Sequence, residues 1–194
     1  MPKILIADDH PLFRVGLSYS LKSLGFDVVA EAFDGQDAIE KCLSMRPEAA
    51  LLDVKMPRLN GLEACKQISA QIPSLRIIML TTFSEPALVE AARSAGAAGF
   101  VSKETEASEL ARLINKMLEL PNFRHFPVVN LPKLTTRELE VLKHLVTGLQ
   151  NKEIARALGV SPETIKDHLE RLYQKLEVQD RMGAVSRARA LGLA

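Results

Sequence analysis

The chain has 194 residues, 47% of them apolar, with 25 Lys/Arg against 24 Asp/Glu and a formal net charge of +1. That length suits one large domain or two small ones with ample material for a core. The longest apolar runs are too short to span a bilayer, and Met1-Pro2-Lys3 leads straight into a strand without the apolar stretch of a secretory signal. No membrane role is expected, and the cytoplasm is the expected location. Cys42 and Cys65 both fall in helical patterns without metal-ligand spacing, so they read as helix-packing residues in a reducing compartment. The near-neutral total hides an asymmetry. Residues 1–120 carry 13 Lys/Arg against 16 Asp/Glu, and residues 121–194 carry 12 against 8. An acidic half before a basic half predicts two domains with different partners, the second a polyanion.

In chain order, the first half alternates apolar runs with amphipathic stripes. A strand at 3–7 leads to a helix over about 11–24, then a strand at 27–31 and a helix opened by Asp34-Gly35 that runs to about 45. A strand at 49–52 and a helix at 61–71 follow. The last two units are 76–80 with 86–95, then 98–101 with 106–119. Five βα repeats predict a doubly wound parallel sheet for residues 1–120. Pro121, Pro127 and Pro132 mark 121–132 as a linker. It is unusually apolar, with Phe123, Phe126, Val128, Val129 and Leu131, so it either packs on one domain or marks an interface.

Residues 133–194 read as four helices. Thr135 with Glu138 makes a capping box for the first, Asn151 caps the second, Ser161 with Pro162 starts the third, and Asp180 caps the last. Helices two and three are joined by a turn containing Gly159, a helix-turn-helix signature.

The strands of the first half end on reactive groups. Strand 3–7 runs into Asp8-Asp9, strand 49–52 into Asp53, strand 76–80 into Thr81, and strand 98–101 into Ser102-Lys103. The carboxyl edge of such a sheet is where ligands bind. Three carboxylates facing one ammonium need a cation, and an all-oxygen donor set with room for water suits Mg²⁺. A carboxylate beside Mg²⁺ is a nucleophile toward phosphorus, with Lys103 offsetting charge on the transferring group and the Thr81 hydroxyl donating to it.

At this point the sequence resembles the response regulators of the NarL/FixJ family, with a two-component receiver followed by a LuxR-type helix-turn-helix. The first half carries the resemblance in Ile6-Ala7-Asp8-Asp9-His10, Asp53-Val54-Lys55-Met56-Pro57 with Gly61, Met79-Leu80-Thr81-Thr82-Phe83 and Ala95–Lys103. The second half carries it in Leu134–Leu142, Asn151-Lys152-Glu153-Ile154-Ala155 and Ser161–Leu169. The resemblance implies a flavodoxin-like receiver of strand order 2-1-3-4-5 and an all-α output domain. It implies Asp53 as phosphoryl acceptor, with Asp8, Asp9, Asp53 and the Lys55 backbone carbonyl around Mg²⁺. Lys103 becomes the partner of the phosphoryl group, and Thr81 with Phe100 the switch pair. The donor would be a sensor histidine kinase. Any catalysis by the chain itself would be limited to slow self-dephosphorylation.

On the helix from Pro162, Lys166, Asp167, Glu170, Arg171 and Gln174 would face bases in the major groove, while Lys152, Thr164, His168 and Lys175 would touch phosphates. Ala184, Val185, Ala188 and Leu191 would pair two protomers over an operator with two half-sites, with RNA polymerase as a further partner. Two departures stand out. Phe100 replaces the more frequent tyrosine, and Glu177 stands where glycine is usual, which costs about 1–2 kcal/mol if that position is left-handed. The competing readings are a phosphatase of the haloacid dehalogenase class and a DNA binder with a vestigial receiver. The first expects a second acid where Lys55 stands, together with a cap domain. The second sits badly with an intact acceptor site.

Overall fold

A computed structural model describes residues 1–82, 85–128 and 132–193. The chain divides into two compact units, the first comprising Met1–Ser84 and Val89–Pro127, with Val128–Ala194 as the body of the second.

In the first unit β1 (Lys3–Ala7), β2 (Asp27–Ala32), β3 (Ala49–Asp53), β4 (Arg76–Thr81) and β5 (Gly99–Ser102) form one parallel sheet of order β2-β1-β3-β4-β5. Every residue of β3 is buried, as a central strand covered on both faces must be. The connecting helices are α1 (Pro11–Ser23), α2 (Gly35–Met45), α3 (Gly61–Gln71), α4 (Pro86–Ser94) and α5 (Ala107–Glu119). Leu17 and Leu21 of α1 and Leu110, Leu113, Ile114 and Met117 of α5 close over one face with Ile4, Ile6, Leu51 and Ile78. Asp34 caps α2 by accepting the Asp37 N–H at 2.8 Å, and Asn60 caps α3 through Glu63 N–H at 2.9 Å.

Of the two readings left open for the apolar linker, packing on one domain describes its first part. Residues 121–127 belong to the first unit. Phe123 packs on the sheet core beneath the Lys116 ammonium, which lies 4.3 Å from its ring centre. Arg93 stacks over Phe126 at 4.7 Å. His125 bridges the open edge of β5, accepting from the Phe100 N–H at 2.8 Å and donating to the Ala98 carbonyl at 3.0 Å. The apolar residues that are unusual in a tether are here a strap over an otherwise bare strand edge. Val129 and Leu131 lie outside the described residues.

The second unit holds α6 (Thr136–Val146), α7 (Asn151–Leu158), α8 (Pro162–Leu176) and α9 (Arg181–Leu191). Thr135 and Glu138 form the expected capping box, and Ser161 and Asp180 cap α8 and α9. Asn151 does not cap α7. Gln150 holds that place, its N–H donating to the Glu153 carboxylate at 2.6 Å. Ile154, Ile165, Leu169, Leu172 and Leu176 meet Val141, Leu142 and Leu145 in one core. Arg181 fastens the end of α6 by donating to Leu149 O at 2.7 Å. Glu177 is left-handed, with φ 56, so the strain expected of a residue with a Cβ is present.

Candidate functional site

Strand register builds the site. Ala7 pairs with Leu52, and Asp53 pairs with Leu80, so the residues that follow β1 and close β3 emerge side by side at the carboxyl edge. Asp8 is fully buried and Asp53 is 3% exposed. The Lys103 ammonium bridges them, 2.7 Å from Asp53 Oδ2 and 2.8 Å from Asp8 Oδ2. The ring of Phe13 shields that ammonium at 5.0 Å. Burial pushes the Asp53 carboxyl above its ordinary value, and Asp8 adds to the rise while Lys103 opposes it. For Lys103, burial favours the neutral amine, but the hydrogen bonds and charges of the two carboxylates outweigh it and raise its pKa. Two like charges this close persist only with a cation between them.

Asp9 is half-exposed beside them, and His10, which the sequence reading left without a role, turns its Nδ1 to Asp9 Oδ1 at 2.8 Å and Asp8 Oδ1 at 3.3 Å. Asp8, Asp9, His10 and Asp53 each offer a donor atom within 4.8 Å of the others. Lys103 is the partner of Asp8 Oδ2, at 2.8 Å. An oxygen-rich set with a solvent-facing member fits a hard ion that keeps its waters, as Mg²⁺ does. The Lys55 N–H approaches Asp53 Oδ1 at 3.4 Å. Thr81 ends β4, buried, and Phe100 is buried on β5. Phe83 lies outside the described residues.

The α8 face opposite the buried stripe is polar and largely open. Lys166, Asp167, Glu170, Arg171 and Gln174 are exposed opposite the buried stripe, His168 and Thr164 are half-buried, and Lys152 is exposed on α7. Lys166 is tied to Glu163 at 2.9 Å. Lys175 is placed differently from the expected phosphate contact. Its ammonium sits 2.7 Å from Oε2 of Glu138, a buried acid at the start of α6 that also accepts the Thr135 N–H at 2.7 Å. Burial raises the Glu138 pKa, but Lys175 and Thr135 together hold it below 4.5.

A folded pKa below the unfolded one stabilises above about pH 4.5 and loses that contribution as pH falls through the folded value. Lys175→Met should therefore lower the stability of this unit by about 1–3 kcal/mol at neutral pH, a range discounted because the lysine is partly solvated. The loss should shrink as pH falls below the ordinary carboxylate value toward the lower folded one, where Glu138 in the folded chain also takes a proton. Thermal melts at pH 7 and pH 4 check both the size and the trend.

The expectation for α9 is also corrected. Ala184, Ala188 and Leu191 are buried in the unit's own core, so the apolar stripe is used within the chain. Val185 is half-buried, and the apolar residue left open on α9 is Met182, 76% exposed.

Comparison with known proteins gives a family match in each half of the chain. Residues 4–115 match the response regulator receiver domain, and residues 132–188 match the bacterial regulatory proteins of the luxR family. The chain is 35% identical over 208 residues to the transcriptional regulatory protein LnrK of Bacillus subtilis, covering 95% of this chain and 94% of that one. The RcsB response regulator of Salmonella typhimurium, solved in a study of its conformational dynamism for DNA interaction, superimposes with a TM-score of 0.78. It is 26% identical over 97% of this chain and 100% of its own. A structure of two RcsB dimers bound to two parallel DNAs gives 0.73 at 26% identity, covering 98% of each chain. The chain thus belongs to the NarL/FixJ family of two-component response regulators, transcription regulators that join a receiver to a LuxR-type DNA-binding domain.

Proposed function

We infer that Asp53 accepts a phosphoryl group from a sensor histidine kinase and that its phosphorylation controls DNA binding by α8. The observation that carries this reading is the Lys103 ammonium held between the carboxylates of Asp53 and Asp8 at 2.7 and 2.8 Å. Such a lysine serves a reaction in which negative charge arrives at Asp53. An Asp53 oxygen forms the new O–P bond as the bond from phosphorus to the donor breaks, and the donor leaves with the electron pair. Lys103 then turns from the carboxylate toward the phosphoryl oxygens, and Thr81 donates its hydroxyl to one of them. Asp8 and Asp9 would hold Mg²⁺ with Asp53 and the Lys55 carbonyl, and that ion would supply charge neutralisation on the transferring group. Phe100 has no hydroxyl, so it follows Thr81 by packing alone.

On DNA, the exposed side chains of α8 read base edges while Lys152, Thr164 and His168 touch phosphates. RcsB dimers on DNA support two protomers over two half-sites. Met182 and Val185 leave apolar surface on α9 for pairing. RNA polymerase is the natural next partner at a promoter, and work on DNA supports a cytoplasmic location. Acetyl phosphate with Mg²⁺ should raise operator affinity about 5–150-fold, at one fixed salt concentration because phosphate contacts are salt-dependent. Asp53→Ala should show no rise. Equal affinity before and after phosphorylation of the wild-type chain would contradict the coupling.

A further inference from the structure

The acceptor strand β3 runs into a loop, residues 54–60, before α3 begins. The near end is fixed to the sheet, with the Val54 N–H donating to Leu80 O at 3.0 Å. The far end is fixed to a different element. The Gly35 N–H, at the start of α2, donates to Leu59 O at 2.9 Å, and a Cβ on Gly35 would lie 2.4 Å from that oxygen. Arg58, the neighbouring residue, is left-handed with φ 60, a conformation strained for a residue with a side chain. Its guanidinium ion-pairs with the Asp34 carboxylate and lies over the Phe33 ring at 5.0 Å. Asp34 is fully buried, and its other oxygen is occupied as the cap of α2.

A carboxylate with no solvent contact is costly without a cation, and a strained arginine persists only where its surroundings hold it. Each explains the other. The pair adds nothing to the apolar core, yet it fastens the loop that carries Lys55. We propose that Arg58 is a positioning residue for the acceptor site: clamped to Asp34, it holds loop 54–60 so that the Lys55 backbone carbonyl is presented to the metal before the metal arrives. This rests on the reading of Asp8, Asp9 and Asp53 as the Mg²⁺ site. With the clamp cut, the loop samples other arrangements, and apparent affinity falls by the fraction of time the carbonyl is in place.

The strain itself supplies the variant that separates positioning from stability. Arg58→Gly relieves the left-handed backbone, and Asp34→Asn keeps an oxygen to cap α2 while removing the charge that would be orphaned. The double variant Asp34→Asn/Arg58→Gly should keep its fold, read as a metal-free melting temperature within a few degrees of wild type. In calorimetric titration with Mg²⁺, the full-length double variant should bind about 10-fold more weakly than wild type, the lower end of what losing an outer-shell partner costs. Arg58→Lys, which keeps the charge, should recover most of the affinity. A folded double variant that binds Mg²⁺ as tightly as wild type overturns the proposal. Should the double variant not fold, Asp34→Asn alone cuts the ion pair and decides in the same way. A wild-type chain that takes up no Mg²⁺ would instead refute the reading of the pocket.

Discussion

Replacing Lys103 with methionine is expected to slow phosphoryl uptake by about 10²–10³-fold, the usual loss when a preorganised charge-stabilising group is removed from a dry site. Methionine keeps the reach of the side chain along Phe13 and removes only the ammonium. Two consequences follow from the same 2.7 and 2.8 Å contacts. The charge arriving with the phosphoryl group loses its cation, and Asp8 and Asp53 face each other across a gap with nothing between them. Burial and Asp8 already lift the Asp53 pKa, with Lys103 working against them. Without the lysine it rises further, so the ionised nucleophile appears only at higher pH. Initial rates with acetyl phosphate across a pH series should show a lower plateau and an alkaline displacement of the profile. An unchanged rate at neutral pH would remove Lys103 from the reaction.

The second large effect is structural and falls on the same strand end. Gly61→Ala should destabilise the receiver by about 3 kcal/mol, the upper end of the usual cost of overpacking, which lowers the melting temperature by roughly 10 °C. A Cβ at position 61 would sit 1.8 Å from the Asp53 carbonyl oxygen and 3.1 Å from Met79 Cε. The first neighbour is backbone and cannot rotate away. The Gly61 N–H also donates to Val54 O at 3.0 Å, so α3 cannot retreat without breaking the link that sets its start. Relief must come from moving Asp53, and phosphoryl uptake should fall together with stability. A Gly61→Ala protein with the wild-type melting temperature would show that the strand end tolerates movement.

These two residues also divide what sequence reveals from what it hides. The pocket is legible because each contributor ends an apolar run, and a parallel sheet brings those ends to one edge whatever the loops between them do. Glycine at 61 is visible as a residue, but the reason for it lies in a backbone approach that no spacing encodes. Glu138 reads as the second member of a capping box, which it is, and nothing local shows that Lys175, 37 positions on, also reaches it. That long-range pair gives Lys175 a bond within the domain. The Arg58–Asp34 clamp is hidden for the same reason. Which of its two readings holds for 121–127 is hidden in sequence because prolines interrupt it and its strand pairing is confined to His125, too short to leave a period of two. The stripe on α9 was misread because a core-facing and a partner-facing apolar stripe have the same spacing.

Intact-mass measurement after acetyl phosphate treatment bears most directly on the central claim. The wild-type chain should gain a single phosphoryl adduct in the presence of Mg²⁺ and none in its absence, and Asp53→Ala should gain none under either condition. An adduct of the same mass and yield on Asp53→Ala would contradict the account.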